Sequence, residues 1–245
     1  MTRLLVLQPG HDDPIGRLGE WLTAAGAVLE VVKPYEEPVP ESLDGYQGLV
    51  CLGGAMGPLD DAEHPWLADV RKLLSHAVSR RLPLLAICLG AQLLAAATGG
   101  QVRRNPQGPE IGMDLVAKRD TAGNDPLFAD LPWTPDVLQF HYDEVAILPP
   151  TAVLLASSPK CANQAFRIGD RAYGLQFHVE TTPEVVLGWA SGYPDGVPGA
   201  RAGALDPDRL ARGHEDIREV WQPFAERFVR LAAGELTIHR SLPLV

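Results

Sequence analysis

The segment Pro83-Leu84-Leu85-Ala86-Ile87-Cys88-Leu89-Gly90-Ala91-Gln92 constrains this chain more than any other. Its apolar run is unbroken up to Cys88, as a strand covered on both faces requires. Helical spacing then begins at once, from Leu89 to Thr98, and Gly99-Gly100 closes it. No loop separates strand from helix. Cys88 therefore occupies a turn tight enough to need small neighbours, and Ala86 and Gly90 supply them. A side chain at such a turn projects from the carboxyl end of a sheet, where open α/β folds place their ligands. It also faces the positive end of the following helix, which favours the thiolate, the reactive form of cysteine. On this segment alone, Cys88 reads equally as a small buried hydrophobe.

The flanking sequence extends the pattern. Leu4–Leu7, Ala27–Val32 and Gly48–Leu52 read as strands; Ile15–Ala25 and Trp66–Arg80 carry helical spacing with a polar outer face. This alternation predicts an α/β fold: an open, mostly parallel central sheet with helices on both faces. From Gln101 to Gln176 the character changes. Short runs at Glu110–Ala117, Val137–Phe140, Val153–Ala156, Gln164–Arg167 and Ala172–Phe177 lie between Gly, Pro, Asn and Asp clusters. They predict a small, partly antiparallel region. A helix is expected from Pro183, an irregular stretch over Ser191–Pro207, and an amphipathic helix marked by Ile217, Val220, Trp221, Phe224, Phe228 and Leu231. The irregular stretch reads as a solvent loop, a lid or a docking surface. With 245 residues and no evident linker, a single domain over 1–245 is expected.

Composition excludes several function classes. The formal net charge is −10 and no Lys/Arg stripe occurs, which argues against nucleic-acid and anionic-membrane partners. The longest apolar stretch, Leu82–Ala97, is shorter than the ~20 residues of a membrane span. Cys51, Cys88 and Cys161 are odd in number and unrelated in spacing, so neither a disulfide framework nor a metal knuckle is expected. A reducing, cytoplasmic setting fits that usage.

A cysteine nucleophile needs a base, and the base an orienting group. Tyr173-Gly174-Leu175-Gln176-Phe177-His178-Val179-Glu180 offers both. On a strand, residues i and i+2 share a face, so Glu180 is expected beside His178, fixing its ring and stabilising its charged form. Taken alone, this pair also reads as a surface His and Glu at a strand end. Acyl transfer further needs backbone donors for an oxyanion. Cys51-Leu52-Gly53-Gly54 places glycines just past a strand end, so the amides of Gly54 and of Leu89 are candidates. No phosphate-binding glycine pattern occurs.

Taken together, these residues resemble a class I (triad-type) glutamine amidotransferase, most like the domain found in GMP synthase and its stand-alone relatives. The likeness runs from Leu4 to about Glu184. Its landmarks are CLGGAMG from Cys51, PLLAICLGAQLLA from Pro83, Glu110–Gly112, QFHYDEV from Gln139, NQAFR from Asn163 and YGLQFHVE from Tyr173. The resemblance implies a flavodoxin-like sheet, Cys88 as nucleophile, His178 as general base and Glu180 as its orienter. It implies an oxyanion hole of Gly54 and Leu89, and contacts to glutamine from Gly53, Gln92, His141 and Tyr142. It implies no metal and no cofactor. The chain departs from the family pattern at Ala86, where Gly is frequent, and at Ala55 and Val179, where Pro is frequent. None of these is a reacting group.

The implied activity is hydrolysis of the glutamine side-chain amide to glutamate and ammonia through a glutamyl thioester. The roughly 60 residues after Glu184 are too few for a synthetase domain. An ammonia acceptor, if one exists, is therefore expected on a separate chain. Two other readings stay open: a free-standing hydrolase of γ-glutamyl amides or conjugates, and a non-enzymatic regulatory relative.

Overall fold

The computed structural model describes residues 1–236. In chain order the elements are β1 (Thr2–Leu7), α1 (Gly16–Ala24), β2 (Ala27–Val32), β3 (Gly48–Cys51), α2 (Trp66–Ser79), β4 (Leu84–Ile87), α3 (Leu89–Ala97), β5 (Gln101–Arg104), β6 (Glu110–Leu115), β7 (Ala117–Lys118), β8 (Asp136–His141), β9 (Asp143–Ile147), β10 (Ala152–Ser157), β11 (Ala165–Ile168), β12 (Ala172–Leu175), α4 (Pro183–Ser191) and α5 (Pro207–Ala232). An eight-stranded sheet runs β2-β1-β3-β4-β12-β11-β10-β7. Its first five strands are mutually parallel, and β11, β10 and β7 continue it antiparallel.

The continuous apolar runs are the central strands, because both of their faces are covered. In β1, Leu4 and Val6 join the core beneath α1 and α5, while Leu5 and Leu7 join the core beneath α2 and α3. β4 alternates in the same way, Leu85 and Ile87 to one layer and Leu84 and Ala86 to the other. The α5 layer is aromatic: Phe128, Phe177, Trp221 and Phe224 pack with ring centroids 5.2–6.0 Å apart. The apolar residues expected to mark the last helix, Ile217, Trp221, Phe224, Phe228 and Leu231, are all buried on it. Asp206 caps its first turn by accepting the Arg209 amide.

The middle region is more divided than the sequence suggests. β5 pairs with β9 and β6 with β8, each as a separate antiparallel ribbon outside the main sheet. The last sheet strand also stops earlier than its apolar run does. β12 ends at Leu175, and Phe177 turns into the aromatic layer against Trp221 instead of extending the strand.

β1, β3, β4 and β12 are parallel, so their carboxyl ends converge on one edge. The chain order reverses beside β1, which places the crevice of an open α/β sheet at that edge. There α3 starts hard against the end of β3. A Cβ built on Gly90 would lie 2.3 Å from the Cys51 carbonyl oxygen and 2.9 Å from its carbon. Both contacts are backbone, so neither yields by a rotamer change. Gly90→Ala is therefore expected to cost about 3 kcal/mol, read as a lower midpoint in urea unfolding.

Candidate active site

Cys88 is the junction between β4 and α3 and holds φ +50°, ψ −109°, a conformation rare for a residue with a side chain. Backbone bonds pin it: its amide donates to Leu175 O at 2.7 Å, and its carbonyl accepts the Gln92 amide at 3.1 Å. Strand and helix thus fix the cysteine from both sides. Its side chain lines a cavity of about 570 Å³ at the carboxyl edge of the sheet.

His178 reaches that cavity from beyond β12. The expectation that His178 and Glu180 share a strand face needs correcting, because both lie past the strand's end. His178 is held instead by an isolated antiparallel bridge to β8. Its amide donates to Leu138 O at 2.8 Å, and the Leu138 amide donates to His178 O at 3.1 Å. The two side chains still meet. Nδ1 of His178 lies 2.6 Å from Oε1 of Glu180, and Oε2 of Glu180 accepts the Val179 amide at 2.9 Å. Both residues are almost fully buried. Burial alone would lower the His178 pKa. The Glu180 carboxylate and Cys88 outweigh it and hold the imidazole well above the usual value of 6.5. With Nδ1 committed to Glu180, Nε2 is the nitrogen left to face Cys88.

Gly54 lines the cavity and Leu89 follows Cys88 directly. The Leu89 side chain turns inward against Gly54, where an added Cβ would meet its Cδ2 at 2.7 Å. As the opening residue of α3, Leu89 has an amide with no partner one helical turn back. Gly53 is displaced from its expected place: it lies behind the cavity wall, its carbonyl accepting the Gly10 amide at 3.1 Å.

Gln92 donates to Asp143 O at 3.4 Å and to Oε1 of Gln176 at 3.3 Å. The Gln176 amide nitrogen in turn lies 3.8 Å from the Cys88 sulfur. His141 lines the cavity, yet its nitrogens point at protein atoms: Nδ1 at Asp143 O, 2.9 Å away, and Nε2 at Oε2 of Glu110, 3.1 Å away. Tyr142 lies under the Arg104 guanidinium, 4.5 Å from the ring centroid, and its hydroxyl donates to Pro198 O at 3.3 Å. Burial pushes this phenol up to about 12. The irregular stretch expected at Ser191–Pro207 is thus tied to the site, and Ser191, Gly192 and Tyr193 line the cavity directly.

Three site residues escaped the sequence reading. Gln176 was hidden inside an apolar motif. Trp189 of α4 stacks 5.0 Å from His178 and donates from Nε1 to Asp12 O at 2.8 Å. Its lone aromatic position on a short helix carried no signal. Asp13 follows β1 in a loop whose Gly10 amide is tied to the Gly53 carbonyl, and it lines the cavity. Burial raises its carboxyl to about 6, with His178 pulling it back down and Glu180 and Asp12 pushing it up.

The sign of that shift gives a stability prediction. Below about pH 4 the carboxyl is neutral folded or unfolded. Between there and about pH 6 only the unfolded chain ionises, so native stability falls as pH rises. Asp13→Asn removes the penalty. It is expected to be about 2 kcal/mol more stable than wild type at pH 7, with the gap closing towards pH 4 in matched urea titrations.

Comparison with known proteins fits this site into a family. Residues 18–186 match the family described as "Glutamine amidotransferase class-I". The chain belongs to the class I glutamine amidotransferase family. Among curated relatives it is 32% identical over 151 residues to "GMP synthase [glutamine-hydrolyzing]" of Christiangramia forsetii, a match covering 61% of this chain and 27% of that protein. It is 30% identical over 153 residues to "Gamma-glutamyl peptidase 3" of Arabidopsis thaliana, covering 61% of each. These matches span less than two thirds of either relative. A solved glutamine amidotransferase from Thermotoga maritima superposes with a TM-score of 0.81 at 28% identity, covering 94% of this chain and 97% of the other. Among the described residues, no helix is long and apolar enough to cross a membrane.

Proposed function

We propose that this chain hydrolyses γ-glutamyl amide bonds, with glutamine as the simplest substrate, and works as one amidotransferase domain. The observation that carries the proposal is the strained Cys88 elbow opening onto the same cavity as the buried His178–Glu180 pair.

In this reading the Cys88 thiolate attacks the side-chain carbonyl carbon of the γ-glutamyl group. The developing oxyanion is received by the Gly54 and Leu89 amides. His178, held protonated by Glu180, gives its proton to the leaving nitrogen as the C–N bond breaks, which leaves a glutamyl thioester and a free amine or ammonia. His178 then accepts a proton from water as the water attacks the thioester. Glutamate departs and the thiolate is restored. Gln92 and the Tyr142 backbone face the α-amino and α-carboxylate groups. His141, tied to Glu110 and the Asp143 carbonyl, positions that wall. No metal or cofactor enters these steps. Ammonia freed from glutamine would pass to a synthetase on a separate chain, a reading supported by the likeness to GMP synthase.

A second reading is favoured by the cavity. Its volume of about 570 Å³ lies within the ~300–1,000 Å³ typical of sites for drug-sized ligands and exceeds what one free amino acid fills. That favours γ-glutamyl amides with larger leaving amines, in keeping with the γ-glutamyl peptidase relative. Assays of glutamine and a set of γ-glutamyl amides, with and without a candidate synthetase, separate the two. Slow glutamine cleavage that a partner accelerates supports ammonia transfer. Fast partner-free turnover of bulkier amides supports hydrolysis alone. No turnover of any of them would sink both.

A further inference from the structure

The catalytic proposal leaves one buried charged group without work. Asp13 lines the cavity, and among the described residues its carboxylate has no hydrogen-bond or ion-pair partner from a side chain. Its two oxygens are nonetheless fixed in place. Oδ2 lies over Gly10, where a Cβ would sit 2.0 Å from it, and Oδ1 lies over Gly53. A Cβ on Gly53 would be 3.0 Å from that Oδ1 and 3.3 Å from Cε1 of His178, so carboxylate and imidazole face each other within about 6 Å.

His178 does not satisfy this carboxylate. Its Nδ1 is held by Glu180 at 2.6 Å, and its remaining nitrogen faces Cys88. Asp12 is no partner either, being an exposed acid paired with His11 at 3.0 Å. A largely desolvated carboxylate that opens onto a substrate cavity is stabilised by a cation arriving with the ligand.

The position within the cavity says which end of the ligand that is. Gln92, His141 and Tyr142 form the wall assigned to the α-amino and α-carboxylate groups. Asp13 sits at the other end, behind the imidazole that hands a proton to the leaving nitrogen. Trp189 completes this corner. Its ring is 5.0 Å from His178 and its Nε1 is anchored on Asp12 O, so a flat apolar face runs from the proton donor towards the acid. An alkyl chain laid on that face would carry a second amine to Asp13.

We infer that Asp13 selects γ-glutamyl amides whose leaving amine carries a second, positively charged amino group, as in a mono-γ-glutamyl diamine. The inference rests on the γ-glutamyl hydrolase reading above. γ-Glutamyl peptides, whose leaving group carries a carboxylate, are disfavoured by the same charge.

The test compares kcat/KM for mono-γ-glutamyl putrescine, γ-glutamyl butylamide and γ-glutamyl glycine, which are cationic, neutral and anionic. Wild type is expected to prefer the diamine over the butylamide by about tenfold at low salt, a preference that shrinks as salt is added. Asp13→Asn brings that ratio to about one, Asp13→Glu keeps it, and Asp13→Lys inverts it towards γ-glutamyl glycine. Thermal unfolding of each variant checks its fold, and the ratios, being internal to each protein, do not depend on overall activity. A wild-type ratio near one, or a preference that survives Asp13→Asn, overturns the inference and leaves the hydrolase reading standing. Failure to cleave all three amides and glutamine overturns both.

Discussion

Cys88→Ala is expected to abolish release of ammonia from glutamine, and of amine from any γ-glutamyl amide, while the protein stays folded. No neighbouring group can replace the sulfur. Gln176, 3.8 Å away, is an amide, and Cys51 and Cys161 are buried with thiols pushed up to about 12 by desolvation. A loss of about 10⁴-fold or more is the scale for removing a nucleophile. The fold should survive because the elbow is held by backbone bonds to Leu175 and Gln92, which alanine keeps. Cys88→Gly makes the matching stability prediction. Glycine tolerates φ +50° without strain, so this variant should be about 1 kcal/mol more stable than Cys88→Ala in urea and equally inactive. Activity in a folded Cys88→Ala protein would remove the nucleophile from the account.

Glu180→Gln has the next largest expected effect. It is close to isosteric and can still hydrogen-bond to Nδ1, but it carries no charge. With the carboxylate gone, burial, the strongest influence on His178, acts nearly unopposed, and the imidazole pKa drops towards or below 6.5. At neutral pH the ring then loses the proton it must give to the leaving nitrogen. The expected fall in kcat is at least about 10²-fold, with KM little changed. The same shift appears in stability. In wild type, a folded pKa above the unfolded value stabilises the protein below about pH 6.5, and this is lost as pH rises through the folded value. In Glu180→Gln that pH-dependent contribution disappears. An NMR titration of His178 and urea unfolding at two pH values would check both statements, and an unchanged His178 titration would contradict them.

The parts of the fold and site legible in sequence are those set by local pattern. Leu4–Leu7 and Leu84–Ile87 are unbroken apolar runs because they lie in the middle of a doubly covered sheet. The Cys88 elbow was readable because strand pattern meets helix pattern with no residues between. Elsewhere, tertiary packing overrode the local signal. The run Ala172–Phe177 continues past the end of β12 because Phe177 is recruited by Trp221, and no periodicity distinguishes those two fates. His178 and Glu180 meet as expected, but through a bridge to Leu138 contributed by a strand 40 residues earlier. Gly53 was assigned to substrate because it precedes Gly54, yet its carbonyl is committed to Gly10 across the sheet edge. Asp13 and Trp189 come from loops and helices distant in sequence, so their meeting at His178 has no local signature.

The central claim is that carbon–nitrogen cleavage proceeds through a covalent glutamyl bond to Cys88. Rapid acid quenching of the protein during turnover of a γ-glutamyl amide, followed by mass spectrometry of the peptides, tests it most directly. The account predicts one glutamyl group on the peptide bearing Cys88, formed with a stoichiometric burst of released amine and absent in Cys88→Ala. Full turnover with Cys88 unmodified throughout, or an adduct on another residue that survives Cys88→Ala, would contradict it.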